Sequence, residues 1–309
     1  MSFVASSPLV IGTRGSPLAL FQANAVRDGL VQAGLAPDAV LVEVIRTSGD
    51  RIQDRALSEA GGKGLFTKEI DEAQLAGRVH VAVHSAKDLP TQLPEGLIIA
   101  GYLPREDARD GFLSSRAARL EDLPPGAVVG TASLRRQAMV RRLRPDLQIT
   151  LLRGNVGTRL EKIRGGSIDA TILAMAGLKR LGLEAEVTAI LPAEKFVPAV
   201  GQGAIAVVTQ VADEMTLAAL RAVLDADTAV ALAAERAFLT VLDGSCRTPI
   251  GAYATLAEGR ITLNGIVLRP DGGEIYEASE SAPAGDAERL GREMGLAIKA
   301  RLPVNFFQA

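Results

Sequence analysis

The stretch Val128-Val129-Gly130-Thr131-Ala132-Ser133 decides the fold, because it repeats the design of Ile11-Gly12-Thr13-Arg14-Gly15-Ser16 near the start of the chain. In both stretches a short apolar run predicts a strand, Gly-Thr ends it, and a serine precedes a predicted helix. Residues 166–177 resemble residues 77–88 in the same way and in the same order. This ordered repetition predicts two similar α/β lobes that face each other across a cleft.

Composition narrows the class of protein. The 309 residues suffice for two or three domains, and 48% hydrophobic with 23% charged residues is typical of a soluble globular protein. The single cysteine, Cys246, excludes an intramolecular disulfide and a zinc site built from several thiolates. The start lacks the pattern of a signal peptide, and no apolar run is as long as a membrane span. We therefore expect a cytoplasmic protein without a membrane segment.

Positive charge is concentrated between Arg135 and Arg164. This segment has nine basic residues against two acidic ones, a formal net charge of +7, in a chain whose total is −2. A solvated helix face and a polyanion site both remain open. Because no aromatic residue lies between Phe112 and Phe196, bases of a nucleic acid would have no stacking platform. A small ligand with several carboxylates or phosphates fits better.

Two further stretches in the first half are candidates for ligand binding. Ser16 precedes Pro17 at the predicted start of a helix, and Arg14 stands just before it, as expected for an anion site or for a simple helix cap. Ser85-Ala86-Lys87-Asp88 follows a predicted strand, which is where ligands bind in α/β sheets. A surface ion pair is the alternative for the charged pair.

The second predicted lobe has two arginines at an electrostatically unfavourable position. Arg135 and Arg136 occupy the first turn of a predicted helix, where the helix dipole disfavours cations. An anionic ligand held there with Ser133 would reverse the sign of this effect. Arg153-Gly154-Asn155-Val156-Gly157-Thr158-Arg159 follows another apolar strand and adds forked donors suited to carboxylate or phosphate.

Three other patterns in the sequence resemble known functional motifs. The polar stretch 47–64 is a candidate lid, and its Gly61-Gly62-Lys63-Gly64 end lacks the spacing of a phosphate-binding loop. Residues 200–206 match a dinucleotide fingerprint only superficially, because a strand is predicted to follow. His80 and His84 are four apart on a predicted strand, so they share a face, and we expect no metal site.

The last third predicts a separate α+β domain. A long helix over 225–242 ends at Asp243-Gly244-Ser245-Cys246-Arg247-Thr248-Pro249, and three strands joined by hairpin turns and a final helix follow. The turn composition around Cys246 is unusual for a buried filler cysteine, and Arg247 would favour the thiolate. Two interpretations of Cys246 remain: a reactive thiol, which is the more specific hypothesis, and a small buried apolar residue.

Taken together, these motifs resemble the porphobilinogen deaminase family along nearly the whole chain. The matching stretches are Thr13–Leu20, Gly61–Phe66, Ala82–Pro90, Gly130–Gln137, Leu152–Leu160, Gly177–Leu181, Ala199–Gly203 and the cysteine loop. In two departures from the usual family pattern, Ser245 stands where a glycine is usual, and Arg247 replaces a smaller or neutral residue. Both leave the thiol in place.

The resemblance implies an activity, a cofactor and an architecture. Members join four porphobilinogen molecules into hydroxymethylbilane and release ammonia each time, on a dipyrromethane primer bound to a loop cysteine, here Cys246. The resemblance also implies two lobes like those of type II periplasmic binding proteins. A smaller C-terminal α+β domain with a three-stranded antiparallel sheet is expected as well. The expected domains are residues 1–103 with 204–221, residues 104–203, and residues 222–309. A monomer is expected.

Residues at the family's functional positions follow from the same resemblance. Asp88 matches the catalytic carboxylate, which is expected to bind pyrrole N–H groups, assist the loss of ammonia and stabilise the cation that results. The positions matching the cofactor site are Cys246, Ser85, Lys87, Asp88, Thr131, Ser133, Arg135, Arg136, Asn155 and Arg159. Those matching the substrate site are Arg14, Ser16, Phe66, Arg153, Arg159, Arg180 and Gln202.

The rival hypothesis is a binding protein instead of an enzyme. A two-lobed binding protein for a polycarboxylate would also suit the repeated design and the many arginines. It would need neither a reactive thiol at Cys246 nor Asp88 beside the anion site. The covalent primer and the consumption of porphobilinogen therefore discriminate between the two hypotheses.

Overall fold

The computed structural model describes residues 3–51, 67–242, 244 and 248–307. These residues form two compact units. The first contains residues 3–51, 67–106 and 204–229, and the second contains residues 107–203 and the described residues from 230 onward. The domain boundaries expected from the sequence remain predictions. No helix in the described ranges is long and apolar enough to cross a membrane.

Strands and helices are mixed through the first two thirds of the described chain. The strands are β1 (Leu9–Thr13), β2 (Val40–Val44), β3 (Val81–Ser85), β4 (Leu97–Tyr102), β5 (Asp110–Ser114), β6 (Val128–Gly130), β7 (Gln148–Thr150), β8 (Ala170–Ala174), β9 (Ala189–Leu191), β10 (Ile205–Gln210), β11 (Ile250–Ala257), β12 (Arg260–Leu268) and β13 (Ile275–Pro283). The helices are α1 (Pro17–Gln32), α2 (Ser48–Arg51), α3 (Lys68–Leu75), α4 (Leu134–Leu143), α5 (Val156–Arg164), α6 (Met175–Arg180), α7 (Glu214–Leu220), α8 (Ala226–Val241) and α9 (Ala287–Lys299).

The first unit is built on a five-stranded sheet in the order β2-β1-β3-β10-β4. Strand β1 pairs in parallel with β2 and β3, whereas β10 runs antiparallel to β3 and β4. Apolar side chains from β1, β3 and β10 pack with the buried face of α1, among them Ile11, Val83 and Val207. Burial of this face, about 25 cal/mol per Å² of apolar surface, holds the helix on the sheet.

The second sheet repeats the design of the first, with the order β7-β6-β8-β5-β9. Strand β6 pairs in parallel with β7 and β8, and β5 runs antiparallel to β8 and β9. In each sheet the central parallel strand contains the Gly-Thr stretch or leads directly into it, and the antiparallel strand occupies the same place in the order. The prediction of two similar α/β lobes is confirmed.

The predicted C-terminal sheet is also confirmed. Strands β11, β12 and β13 form a three-stranded antiparallel sheet, and Glu258 and Gly259 both have positive φ between β11 and β12, as a two-residue type I′ turn requires. Helix α9 crosses α8 closely at Gly291, where a Cβ atom would lie only 2.0 Å from the carbonyl oxygen of Ala234. Only glycine fits at this crossing. Ile266 and Leu268 of β12 join the core beneath α4.

Candidate active site

Two loops of the first unit meet because their strands are parallel neighbours. The carboxyl ends of β1 and β3 lie at one edge of the sheet, so Arg14 and Ser16 follow one strand and Ser85 to Asp88 follow the other. A pocket of about 70 Å³ forms at this edge. Its polar lining consists of Arg14, Ser16, Gln22, His84, Ser85 and Asp88. Four of the residues predicted from the sequence are thus brought together.

Ser16 acts as the cap of α1. Its backbone is extended, its Oγ accepts a hydrogen bond from the N–H of Ala19 at 3.3 Å, and Pro17 occupies the first turn. The dipole of α1 places partial positive charge at this helix end, and Arg14 lines the same pocket. This side of the pocket favours a carboxylate.

Asp88 gives the same pocket a negative charge. It is exposed and ends a short 3-10 turn over Ala86–Asp88, which directly follows β3. Lys87 lies half-buried on the same turn. A pocket with a cation and helix N–H groups on one side and a carboxylate on another suits a ligand that has charges of both signs.

Gln22 is a pocket residue that the sequence predictions missed. It is buried on α1, its Nε2 donates to Ser85 Oγ at 2.8 Å, and this bond fixes the serine beside Asp88. The signal was present in the sequence, because Gln22 stands among Ala19, Ala23 and Val26 on the apolar face of the helix. A glutamine in that position needs a buried polar partner.

His84 also lines the pocket, although the sequence predicted no function for it. The residue is 5% exposed, and burial, with a smaller contribution from the Arg14 charge, lowers its pKa from 6.5 to about 4. The imidazole is therefore neutral at pH 7, and its Nε2 is buried without a hydrogen-bond partner among the described residues. In the ranges that the structure describes, no group of three or more His, Cys, Asp or Glu could hold a metal ion.

The buried imidazole makes stability depend on pH. Because the folded pKa of His84 lies below the unfolded one, the unfolded chain takes up the proton first, and folding loses free energy as the pH falls. Relative to His84→Gln, the wild type is expected to lose about 2 kcal/mol of unfolding free energy between pH 7 and pH 5. Urea titrations of both proteins measure this difference.

Asp71 has the opposite pH dependence, since burial raises its pKa to about 6, but it is present in both proteins and cancels in the comparison. An identical pH dependence of the two proteins would contradict a buried neutral His84.

In the second unit, three parallel strands end at one edge and position the predicted arginines. Thr131 and Ser133 follow β6, Arg153 and Asn155 follow β7, and α6 with Arg180 follows β8. Ser133 caps α4 through its Oγ, which accepts from Arg136 N at 3.4 Å, while Thr131 Oγ1 accepts from Ser133 N at 3.2 Å. The hydroxyl groups thus shape the helix start.

The loop after β7 is organised in the same manner. Asn155 caps α5 by accepting from the N–H of Thr158 at 2.9 Å, and Arg159 Nε donates to the carbonyl of Gly154 at 3.0 Å. Gly154 has a φ of 110°, which a side chain would strain. Asn155 is exposed, and Arg153 and Arg159 are half-buried, so these polar groups border solvent at the start of α5.

Arg135 and Arg136 do not point into solvent at the start of α4. Both are buried, and their Nη2 atoms donate to the two carboxylate oxygens of Asp110, at 2.7 Å and 2.6 Å. Burial alone would raise the pKa of Asp110, but the charges of Arg136 and Arg135 outweigh it and hold that pKa well below its usual range. The chain thus supplies an anion of its own at the place where the sequence led us to expect a ligand.

Gln202 completes this cluster. Its Nε2 donates to Asp110 Oδ1 at 2.9 Å and to the carbonyl of Ala108 at 2.7 Å. The neighbours Gly201 and Gly203 both have positive φ, which lets the chain turn sharply enough to bury the glutamine between them. Arg180 Nη2 donates to the carbonyl of Gly203 at 2.7 Å. Strand β10 follows, so the superficial dinucleotide fingerprint is a turn before a strand, as predicted.

Some predicted positions lie outside the described residues. These are Cys246 with most of its loop, Phe66, and the candidate lid from residue 52 onward.

Comparison with known sequences identifies the family. Residues 9–218 match the sequence model described as Porphobilinogen deaminase, dipyromethane cofactor binding domain, and residues 229–300 match Porphobilinogen deaminase, C-terminal domain. The chain belongs to the porphobilinogen deaminase family. The resemblance stated from the motifs is confirmed.

Relatives named porphobilinogen deaminase extend along nearly the whole chain. The protein of Nitrobacter hamburgensis is 54% identical and that of Nitrobacter winogradskyi 55% identical, each over 96% of this chain and 94% of the relative. Among solved structures, a periplasmic substrate-binding protein of an ABC transporter from Coxiella burnetii superposes with a TM-score of 0.44 at 14% identity, over 70% of this chain and 91% of that one.

Proposed function

We propose that this protein joins porphobilinogen molecules head to tail into hydroxymethylbilane, with release of ammonia, on a dipyrromethane primer held by Cys246. The pocket that joins Asp88 to Arg14 and Ser16 is the observation that supports this most, in a chain of the porphobilinogen deaminase family. Porphobilinogen has an acetate, a propionate and an aminomethyl group, so it has charges of both signs at neutral pH. The pocket offers partners for both.

The residues of the pocket have separate proposed roles. Arg14 and the start of α1 bind a substrate carboxylate. Asp88 accepts hydrogen bonds from pyrrole N–H groups, and its negative charge stabilises the cationic carbon that forms as ammonia leaves. Gln22 holds Ser85 in place beside it. The other substrate-binding residues expected from the sequence are proposed on the family resemblance; they are Phe66, Arg153, Arg159, Arg180 and Gln202.

The dipyrromethane cofactor fits the donors of the second unit. Its four carboxylates need fixed cations, and the cluster of Arg135 and Arg136 with Asp110 has two positive charges against one negative. When bound, the cofactor supplies the end to which the first substrate is joined. On the family resemblance, we propose Cys246 as the covalent anchor and the following residues as those that hold the cofactor: Ser85, Lys87, Asp88, Thr131, Ser133, Arg135, Arg136, Asn155 and Arg159.

A direct assay tests the proposed activity. Purified protein is incubated with porphobilinogen, and the loss of substrate, the ammonia released and the linear tetrapyrrole formed are measured together. We expect one ammonia for each porphobilinogen consumed. Saturable binding without consumption would instead favour a two-lobed binding protein for polycarboxylates.

Arg136→Leu is expected to impair loading of the primer. The change leaves Arg135 paired with Asp110, so the buried cluster loses its net positive charge, and the fraction of folded protein with primer should fall about tenfold or more. Intact-mass measurement of the folded protein reports the loaded fraction.

Arg142→Leu is the matched control, because Arg142 is an exposed arginine on the same helix. It should remain fully loaded. Complete loading of Arg136→Leu would contradict the proposed role of Arg136.

The proposal extends to assembly and location. On the family resemblance, we propose that the protein acts as a monomer in the cytoplasm. Light scattering of the purified protein and cell fractionation test these two statements.

A further inference from the structure

Asp110 is a buried acid for which the sequence predicted no role. It is the first residue of β5, is 0% exposed, and offers one oxygen to each of two arginines from α4. A carboxylate is costly to bury unless it is paired and hydrogen-bonded. Its three side-chain partners, Arg135, Arg136 and Gln202, satisfy that requirement.

The arginines, in contrast, are not fully satisfied by Asp110. The cluster contains two positive charges and one negative charge, and the Gln202 amide adds none. The Nε atoms of Arg135 and Arg136 are buried without hydrogen-bond partners among the described residues. Asp110 therefore compensates one of the two positive charges, and within the described residues of this cluster a net charge of +1 remains.

Arg135 and Arg136 differ in how many of their terminal guanidinium nitrogens are engaged in hydrogen bonds. Arg135 donates through Nη1 to the carbonyl of Val197 at 2.7 Å and lies 5.6 Å from the ring centre of Phe196, so both of its terminal nitrogens are engaged. Both described bonds of Arg136 use the same atom, Nη2, and its side chain is 8% exposed against 3% for Arg135. Arg136 is thus better placed to meet a ligand.

We propose that Asp110 is a positioning residue, whose buried carboxylate holds Arg135 and Arg136 as a fixed pair to receive one carboxylate of the dipyrromethane primer. The inference rests on the proposed function of the two arginines. Asp110 neutralises one of the two charges, which makes the pair tolerable in the folded protein, and leaves the other charge for the ligand. Gln202 fixes the orientation of the carboxylate from the other side. Because the arginines are held before the primer arrives, binding does not have to order them.

Asp110→Asn tests this inference. An amide cannot accept equally from both guanidinium groups, and two positive charges would then face each other unshielded. We expect the ratio of loaded to unloaded folded protein to fall about tenfold or more, as measured by intact mass after size-exclusion chromatography. Asp110→Glu, which keeps the charge, should recover part of the loading.

The matched control is Asp169→Asn in the same unit. Asp169 accepts from Arg116 Nη1 and from the N–H of Val128, which is a purely structural arrangement near the start of β6. This variant should lose stability and yet remain fully loaded in the molecules that fold.

Each outcome is decisive. Full loading of folded Asp110→Asn overturns the inference. If Asp110→Asn does not fold, Asp110→Glu is loaded at the porphobilinogen concentration that half-loads the wild type. Full loading of Asp110→Glu under that condition overturns the inference. A wild-type protein that has no primer at all would instead refute the proposed function.

Discussion

Asp88→Asn is expected to lower the steady-state turnover of porphobilinogen about a thousandfold while the protein stays folded. The amide has no charge with which to stabilise the cation formed as ammonia leaves. Asp88 is exposed at the end of a 3-10 turn, so its replacement should change the free energy of unfolding by no more than about 0.5 kcal/mol. The loss of activity can then be assigned to chemistry.

Asp38→Asn is the matched control for this variant. Asp38 is also an exposed aspartate on a short 3-10 helix of the first unit, but it precedes the amino end of β2, whereas the pocket lies at the carboxyl ends of β1 and β3. It should retain wild-type turnover. The measurement is the initial rate of substrate loss at saturating porphobilinogen, together with the thermal midpoint of each protein. A rate for Asp88→Asn within tenfold of the wild type would remove Asp88 from its catalytic role.

Cys246→Ser should abolish turnover, to below about one thousandth of the wild-type rate. The proposed anchor requires a thiolate that bonds once to carbon and then remains as a thioether, and a serine hydroxyl is a far weaker nucleophile at neutral pH. The primer would be missing, so the arginines of the second unit would have no anchored chain to hold. Rates of ammonia release measure the effect.

Ser245→Ala provides the control for the cysteine loop. It changes the neighbouring residue, where this chain departs from the usual family pattern, and keeps the thiol. We expect wild-type turnover from this variant. Equal activity of Cys246→Ser and the wild type would show that the thiol is dispensable.

The two lobes could be predicted from the sequence because their signals are local. A strand that ends in Gly-Thr and a serine that caps the next helix are encoded within a few residues, and the cap hydrogen bonds of Ser16 and Ser133 are both present. The same holds for the hairpin at Glu258-Gly259, where both residues have positive φ. Parallel pairing of neighbouring strands then brings Arg14 and Asp88 to one edge.

The polar partners of the site could not be predicted in the same way. Ser85 meets Gln22 from 63 residues away, and Asp110 meets Arg136 from 26 residues away, so neither pair has a local pattern. The strands β4 and β5 were not predicted, and without β5 nothing placed Asp110 beside α4. For this reason the sequence suggested a ligand as the anion at Arg135 and Arg136, whereas the folded chain supplies one itself.

The buried cluster also changes how the positive charge of the basic segment, residues 135–164, is interpreted. Its net charge of +7 is not spread over one exposed face, since Arg135 and Arg136 are buried on Asp110 and Arg144 is paired with Asp146 at 2.6 Å. Arg164 pairs with Glu186 from outside the segment. The segment therefore exposes fewer cations than its sequence suggests, which suits a compact polycarboxylate better than a long polyanion.

Intact-mass measurement of the purified, folded protein is the strongest test for a primer anchored on Cys246. The wild type is expected to be heavier than its sequence by the mass of one dipyrromethane, the excess should map to the peptide that contains Cys246, and Cys246→Ser should have the mass of its sequence alone. A wild-type protein with full activity and no mass excess, or an excess that persists in Cys246→Ser, would contradict the account.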